Sequence, residues 1–358
     1  MNGQPGNPDP RHHAREGGRH PMTRCRISVI IPNRNGARSI GLCLEALFAS
    51  AHDAFEVIVV DDASTDDSVD IIGRYPCTLL RLRTHGGAAA ARNRGGRIGR
   101  GALLFFIDAD CLVEQDTLTI AERVSARWGM ETVVGGTYTL HPHDRTFFSM
   151  FQSAFIRCSE LKDIADPDYV AAHAMVVPAA LFRASGGFAE EFQPIIEDVE
   201  YSHRLRRQGY RLVMEPDLQV RHVFNFNSLA DSLRNGYRKS RYWTIYSLGN
   251  RDLCADSGTA SRGLKLNTMV YVLAPLLAAI SLPGRHIFPL VLSALLIAAN
   301  LAANRTFFSL LHKVGGLRFL VPGMLYYTMV YPLAVGGGGL AGLADYLVAT
   351  VHQRRRRP

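Results

Sequence analysis

Short apolar runs alternate with segments of helical periodicity from Arg26 onward. The apolar runs have the length of buried strands and lie at 27–31, 56–60, 79–82 and 102–107. Between them, small or apolar residues recur at helical spacing over 40–47, 68–72 and 88–98, and Ser39 is a candidate N-cap of the first segment. Strands that are apolar on both faces and alternate with helices predict an α/β fold with a mostly parallel sheet, covered by helices on both sides.

The pattern changes past residue 261, where three longer apolar stretches follow at 268–282, 287–303 and 319–351. They lack a polar face and have basic flanks, which favours membrane helices. The first two are short for a span of about 20 residues, so a buried helical hairpin of a soluble domain is the alternative. We expect 268–303 to form an in-and-out hairpin. Gly336–Gly339 interrupt the third stretch, which predicts either a second hairpin broken at these glycines or a re-entrant segment.

The net charge of +8 is concentrated in the last part of the chain. Residues 262–358 hold ten Lys or Arg and one Asp, which leaves a net charge of −1 for the preceding 261 residues. A nucleic-acid-binding protein would carry its basic excess on the folded domain, whereas basic residues beside apolar segments are typical of a membrane surface. Arg305, Lys313 and Arg318 lie between the second and third stretches, and Arg354–Arg357 follow the third, so by the positive-inside rule both places are cytoplasmic. The six scattered cysteines form no C-x-x-C pair, which fits a reducing compartment.

These patterns divide the chain into four regions. The polar residues 1–24 are expected to be a disordered tail, because they carry no apolar periodicity. Residues 25–228 form the predicted α/β domain, 229–265 an amphipathic region at the membrane interface, and 266–358 the membrane region.

Polar side chains follow the predicted strands at their carboxyl ends, where parallel α/β sheets bind ligands. Pro32, Asn33 and Asn35 follow the first strand, Asp61 and Asp62 the second, and Asp108 and Asp110 the fourth. Carboxylates at a buried sheet edge are costly unless they are paired or bind a metal, so the last two indicate a divalent cation and phosphates. The alternative is that such aspartates cap the following helices.

Two further clusters have a similar double interpretation. Gly86-Gly87 lets the chain pass close to a ligand, and Arg92 and Asn93 on the following helix could reach that ligand or lie on the surface. Glu197-Asp198 could serve a reaction or could simply form the acidic first turn of a helix.

Together, these five clusters resemble the inverting family-two glycosyltransferases over roughly residues 26–225. The clusters are Pro32–Asn35, Val60–Asp66, Gly86–Gly95, Asp108–Asp110 and Glu197–Asp198. The resemblance implies the GT-A fold, a Rossmann-like and mostly parallel sheet flanked by helices, here followed by C-terminal transmembrane or membrane-associated helices. It implies transfer of a sugar from a UDP- or GDP-type nucleotide-diphospho-sugar to a hydroxyl of a lipid-linked or envelope glycan acceptor.

The resemblance also implies roles for single residues. Asp62 would accept a hydrogen bond from the base, and Asp110, with His222, would bind Mg²⁺ or Mn²⁺. Asp198 would be the general base, supported by Glu197. The nucleotide-sugar would contact Pro32, Asn33, Asn35, Asp61, Asp62, Arg92, Asn93 and Asp108. Gly135–Tyr138 and His173–Met175 are expected on the acceptor side.

Arg238-Lys239-Ser240-Arg241-Tyr242 is similar to the Arg/Gln-x-x-Arg-Trp box of processive polysaccharide synthases, with Tyr242 in place of the tryptophan. In that interpretation Arg241 holds the departing diphosphate. A basic amphipathic stretch at the membrane interface would look the same. The sequence therefore leaves three alternatives to a single-transfer enzyme: a processive synthase, a non-catalytic nucleotide-sugar-binding membrane protein, and a nucleotidyltransferase.

Overall fold

The computed structural model describes residues 26–191, 195–284 and 287–355. The tail predicted over 1–24 lies outside the described residues.

The first half of the chain alternates strands and helices as predicted. Its elements are β1 (Ile27–Asn33), α1 (Ile40–Phe48), β2 (Phe55–Asp61), α2 (Ser68–Ile72), β3 (Thr78–Arg81), α3 (Gly87–Ile98) and β4 (Leu103–Ile107). These four strands pair in parallel in the order β3-β2-β1-β4. Ser39 precedes α1, but its side chain does not cap the helix and instead donates to the carbonyl oxygen of Gly36.

The second half extends the same sheet. Its elements are β5 (Cys111–Val113), α4 (Thr117–Trp128), β6 (Thr132–Tyr138), α5 (Phe147–Glu160), β7 (Ala174–Pro178), α6 (Ala179–Ala184), α7 (Glu197–Arg207) and β8 (Arg211–His222). The eight strands lie in the order β3-β2-β1-β4-β7-β6-β8-β5. β7 runs antiparallel to both neighbours, as β5 does to β8, while β6 and β8 are parallel. The sheet is therefore mixed, with four parallel pairings and three antiparallel ones.

Both faces of the sheet are buried, as the continuous apolar strands require. Val29 and Phe105 enter a core on the face that α1, α4 and α5 cover. Ile30 and Phe106, their neighbours in the chain, enter the core under α3, α6 and α7, because successive strand residues point to opposite faces. A β-carbon on Gly95 of α3 would lie 2.5 Å from Ile30 Cγ2, so glycine allows this helix to lie close to the sheet.

Helices dominate the rest of the described chain. They are α8 (Leu229–Asn250), α9 (Arg262–Gly284), α10 (Ile287–Ala303), α11 (Arg305–Leu325), a π-helical turn (Tyr326–Val330) and α12 (Tyr331–Arg355). α9 and α10 form a helical hairpin over the predicted stretches, in which Ser293 donates to the carbonyl of Ala274. Arg262–Ser281 and Arg305–Thr350 are long and apolar enough to cross a membrane. Large apolar side chains are exposed on α10 and α12, with Phe288 at 74% and Leu340 at 71%.

The break predicted at Gly336–Gly339 is wrong, because α12 continues through these glycines. α12 packs against α8, and a β-carbon on Gly338 would lie 2.3 Å from the carbonyl oxygen of Tyr237. A β-carbon on Gly342, one turn later, would lie 2.3 Å from the carbonyl oxygen of Arg241. The glycines thus allow close helix contact, as small residues four apart do in membrane helices. The kink lies instead at Gly315 and Gly316 in α11.

Candidate active site

A cleft of about 580 Å³ opens at the carboxyl ends of β1, β2 and β4, where the sequence predicted a ligand site. The predicted site residues that line it are Pro32, Asn33, Asn35, Asp62, Arg92, Asp108, Asp110 and Glu197. His85, which the sequence did not single out, and Arg238 also line the cleft.

A second cavity of about 360 Å³ adjoins this cleft and shares Asp108, Asp110 and Glu197 with it. Asp198 and His222 line the second cavity. Its walls are rich in aromatic side chains, which are Tyr138, Tyr169, Phe224, Phe226 and Trp243. Molecules that occupy the two spaces would therefore meet beside the end of β4. His173 also lines this cavity. Tyr138 and His173, two of the residues predicted on the acceptor side, therefore share one space.

Asp62 is held rigidly at the edge of the cleft. Its Oδ1 accepts from the backbone N–H of Gly86 at 2.7 Å, and its Oδ2 accepts from that of Gly87 at 2.8 Å. His85 Nδ1 lies 2.6 Å from the same Oδ2. Gly87 has a φ of 87°, a conformation that glycine adopts without strain. The Gly86-Gly87 pair therefore fixes the carboxylate by its backbone.

Asp61 has a local role instead and does not line the cleft. Its buried carboxylate accepts from Asn33 Nδ2 at 2.9 Å and from the hydroxyl and the N–H of Ser64, at 2.5 and 3.1 Å. Asn35 Oδ1 accepts from the N–H of Thr65 at 2.8 Å. These bonds tie the loop after β1 to the loop after β2, so they shape the cleft floor.

Arg92 is buried at 4% exposure and joins two carboxylates. It donates from one terminal nitrogen to Glu197 Oε1 at 2.6 Å and from the other to Asp108 Oδ1 at 2.7 Å. Burial favours the neutral form of Asp108, but Arg92, His173 and His222 outweigh this and lower its pKa. Burial and the nearby Asp198 raise the pKa of Glu197 in spite of Arg92. Arg92 therefore positions the acidic groups.

Asn93 does not line the cleft, contrary to the prediction. It is buried, and its side chain donates to the carbonyl of Phe188 at 2.8 Å and accepts from the N–H of the same residue at 2.8 Å. The side-chain amide of Asn93 thus satisfies both backbone groups of Phe188. Asn93 therefore holds the loop before α7 in place.

Asp110 and His222 come together because β5 pairs with β8, with Cys111 opposite His222. Asp110 Oδ1 lies 3.5 Å from His222 Nε2, and Cys111 Sγ lies within 4.8 Å of these atoms. Burial raises the pKa of the Cys111 thiol, and the nearby Asp110 and Asp108 raise it further. This thiol is therefore a poor metal ligand, because the thiolate is the form that binds metals. Burial also lowers the pKa of His222, which favours the neutral, metal-binding imidazole.

The pair fits a hard divalent cation. Two neighbouring ligands of an ion bound at about 2.1 Å lie about 3 Å apart, close to the observed separation. Burial and the nearby Asp108 raise the pKa of Asp110 in spite of His222, so positive charge beside Asp110 would stabilise its ionised form. Asp110 and His222 would supply one carboxylate and one imidazole to such an ion, and phosphate oxygens and water would be suitable further ligands.

Asp198 lies in the first turn of α7 and lines the second cavity. Its Oδ2 accepts from the N–H of Ala172 at 3.1 Å, which orients the carboxylate. Ile196, just before the helix, has a φ of 89°. A β-branched residue rarely adopts this conformation, and such strain is concentrated at functional sites. Glu197 supports the same corner through Arg92 and not through a hydrogen bond to Asp198.

The structure does not bring Arg241 to the cleft. Its Nε donates to Asp345 Oδ2 at 2.5 Å, between α8 and α12. Lys239 of the same motif lines the second cavity instead. Burial lowers the pKa of Lys239, although Glu160, Asp198 and Asp108 oppose this shift.

Sequence reasoning missed Glu160, which lies at the end of α5 and inside the second cavity. Its Oε2 accepts from Thr137 Oγ1 at 2.7 Å, and its Oε1 lies 3.4 Å from His173 Nε2. Burial opposes the charged form of His173, but Glu160 outweighs it and raises the pKa of His173. A glutamate at the end of an amphipathic helix is common, so the local sequence did not indicate that Glu160 lines a cavity.

Comparison with known proteins agrees with this geometry. The glycosyl transferase family 2 profile matches residues 28–155, and the profile of glycosyl transferase family group 2 matches residues 103–336, about two thirds of the chain. The chain therefore belongs to glycosyl transferase family group 2 and has the GT-A fold that the sequence predicted.

Among curated relatives, the uncharacterized glycosyltransferase YibD of Escherichia coli is 38% identical over 89 residues, which is 24% of this chain and 26% of the relative. Glycosyltransferase AglE of Haloferax volcanii is 31% identical over 134 residues, 36% of this chain and 44% of the relative. The poly(ribitol-phosphate) beta-glucosyltransferase of Bacillus spizizenii is 33% identical over 101 residues, 26% of this chain and 16% of the relative. In each case the match spans less than half of the relative's length.

The solved structure of a mannosyltransferase from Pyrobaculum calidifontis, in complex with GDP-Man and Mn²⁺, superposes with a TM-score of 0.54. The match covers 91% of this chain and 88% of that chain at 19% sequence identity. At this identity the likeness concerns the fold.

Proposed function

We propose that this protein is a membrane-attached, metal-dependent inverting glycosyltransferase. One observation carries the proposal: Asp108, Asp110, His222 and Asp198 converge where the cleft and the second cavity meet. One space has the position of a nucleotide-binding cleft and the other can hold an acceptor, so the reacting atoms would lie between the acidic groups.

The donor is a UDP- or GDP-type nucleotide-diphospho-sugar in the first cleft. Pro32, Asn33, Asn35 and Asp62 at the strand ends contact the nucleotide, and Asp108 reaches the sugar or ribose. The structural neighbour from Pyrobaculum calidifontis was solved with GDP-Man and Mn²⁺, which supports a donor of this class.

Asp110 and His222 would hold Mg²⁺ or Mn²⁺, which when bound offsets the charge of the leaving diphosphate. Arg92 keeps Asp108 ionised and Glu197 in place beside this point.

Asp198 is the general base. An acceptor hydroxyl in the second cavity attacks the anomeric carbon as Asp198 takes its proton, and the bond to the diphosphate oxygen breaks on the opposite face. A single displacement of this kind inverts the anomeric configuration. The hydrogen bond from the backbone N–H of Ala172 fixes the direction of this carboxylate, which supports its role because proton transfer needs a positioned base.

The acceptor is a lipid-linked or envelope glycan that approaches from the membrane. An apolar pocket between α8, α9 and α12 shares Lys239, Trp243 and Thr259 with the second cavity. This pocket lies beside the exposed apolar helices, so it offers a route from the bilayer. The matched relative from Bacillus spizizenii, named for a poly(ribitol-phosphate) acceptor, supports an envelope substrate. The basic flanks of the apolar helices support a catalytic domain on the cytoplasmic face of the inner membrane.

Incubation of the full-length protein with a panel of UDP- and GDP-sugars and Mn²⁺ tests the proposal, with nucleoside diphosphate release as the readout. We expect release from at least one donor, and loss of release in Asp110→Ala. Asp53→Ala, which removes an exposed loop carboxylate, is the matched control and should release nucleotide like the wild type. Release at the wild-type rate by Asp110→Ala would contradict the assigned metal site, and no release from any donor would contradict the proposed function.

A further inference from the structure

A large groove lies between α5 and the base of the α9–α10 hairpin, apart from the candidate active site. It has a volume of about 1020 Å³ and is bounded by the end of α5, the start of α9 and the start of α11. Five cationic side chains line it, which are Arg157, Lys162, Arg262, Arg305 and Lys313. The opposing charge in the lining is Asp256.

Most of this positive charge is available to a ligand. Asp256 pairs with Lys162 at 2.6 Å, and Arg157 donates to the carbonyl of Tyr138. Arg262, Arg305 and Lys313 form no ion pair within the part of the chain that the structure describes, and all three are exposed. Three exposed cations around one concave surface fit an anion, and guanidinium groups suit phosphate oxygens.

The helix ends at the groove carry partial charges of both signs. α9 begins at Arg262 and α11 at Arg305, while α5 ends at Glu160 and α10 ends at Ala303 beside the same groove. The N–H of Arg262 already donates to Asp256 Oδ1 and that of Leu264 to Ser261 Oγ. The positive charge of the groove therefore comes from its side chains.

The surroundings of the groove distinguish a lipid from a soluble anion. Leu266, Phe307 and Leu310 form an apolar inner wall next to the cations. The apolar surfaces of α9 and α10 lead away from the same place and end at the exposed Ile287 and Phe288. Cations therefore lie at one end of an apolar helical surface, an arrangement that matches an anionic headgroup followed by acyl chains.

We propose that this groove binds the phosphate headgroup of an anionic phospholipid, with the acyl chains against the apolar wall and the hairpin. The bound lipid would fix the tilt of the catalytic domain on the bilayer. This inference does not rest on the proposed catalytic function, because it concerns different residues and a different ligand.

Calorimetric titration of the full-length protein in a non-ionic detergent tests it. The probes are dioctanoyl-phosphatidylglycerol and dioctanoyl-phosphatidylcholine, which share their acyl chains and differ in net charge. We expect tighter binding of the phosphatidylglycerol, and no displacement of it by millimolar inorganic phosphate. Equal binding of both lipids, or displacement by phosphate alone, would overturn the proposal, and these two measurements need no variant.

The double variant Arg305→Gln with Lys313→Gln should weaken phosphatidylglycerol binding about thirtyfold, since each membrane-proximal cation contributes about 1 kcal/mol. The matched control is Arg97→Gln with Arg123→Gln, which removes two exposed cations from α3 and α4. It loses the same net charge and should bind like the wild type. Equal weakening in both double variants would show a general charge effect and contradict a site in the groove.

Discussion

A single methyl group tests the packing of α12 on α8. In Gly338→Ala the new carbon would lie 2.3 Å from the carbonyl oxygen of Tyr237 and 3.0 Å from Ser240 Cβ. Backbone cannot rotate away as a side chain does, so α8 and α12 would have to separate. Overpacking of this kind costs about 1–3 kcal/mol. The neighbouring Gly337→Ala meets only the Tyr237 ring at 3.7 Å, an ordinary contact, and alanine stabilises a helix relative to glycine by about 1 kcal/mol.

The two variants should therefore shift the stability of the full-length protein in opposite directions. Thermal unfolding in detergent would show a lower midpoint for Gly338→Ala and an unchanged or higher midpoint for Gly337→Ala, at about 2–4 °C for each kcal/mol. Because α8 also carries Lys239 and Trp243, Gly338→Ala should disturb the second cavity as well. Equal shifts for both variants would refute the close contact between the helices.

Three further predictions concern the catalytic domain. Arg92→Met leaves the buried Glu197 without its partner and should lower the free energy of unfolding by about 3–5 kcal/mol, measured by urea denaturation. Burial favours the neutral form of Glu56, but hydrogen bonds from Ser28 and Arg100 outweigh it and lower the pKa below its ordinary 4.5. The stability that Glu56 contributes is therefore present above pH 4.5 and is lost as the pH falls through the lowered pKa. Glu56→Gln should reduce this loss of stability in acid, measured as the unfolding midpoint at a series of pH values. His222→Ala should raise the Mn²⁺ concentration that half-restores nucleotide release after chelation with EDTA, by at least about tenfold.

Each of these predictions has a clear contrary result. A stable Arg92→Met variant would mean that water reaches Glu197. An acid limb that Glu56→Gln leaves unchanged would assign the pH dependence to other carboxylates. An unchanged Mn²⁺ requirement in His222→Ala would remove this histidine from the metal site.

The N-terminal half of the sheet could be predicted from sequence because its signals are local. β1, β2 and β4 are continuous apolar runs, and each ends at the polar residues that mark the cleft. The antiparallel placement of β7 was not predictable in this way, since it depends on pairing with β4 about 70 residues earlier, which no local pattern encodes.

Distant packing also explains why some site residues were predicted in the wrong place or missed. Asn93 has the chemistry of a ligand, yet its partner is the backbone of Phe188, which the fold brings close. Arg241 and Lys239 lie on one helix, and which of them faces the second cavity depends on the contact of α8 with the glycines of α12. Glu160 belongs to the cavity only because α5 packs against β6. Local residue type identifies candidates, whereas distant packing decides which way they face.

The central claim is that Asp198 takes the proton while the groups around Asp110 hold the donor, and the Asp198→Asn variant tests it most directly. The measurement compares the Kd for the donor nucleotide in the presence of Mn²⁺ with the rate of sugar transfer. We predict a donor Kd like that of the wild type and a transfer rate lower by about 10²–10⁴-fold, the usual contribution of a general base. Transfer at the wild-type rate by Asp198→Asn would contradict the account.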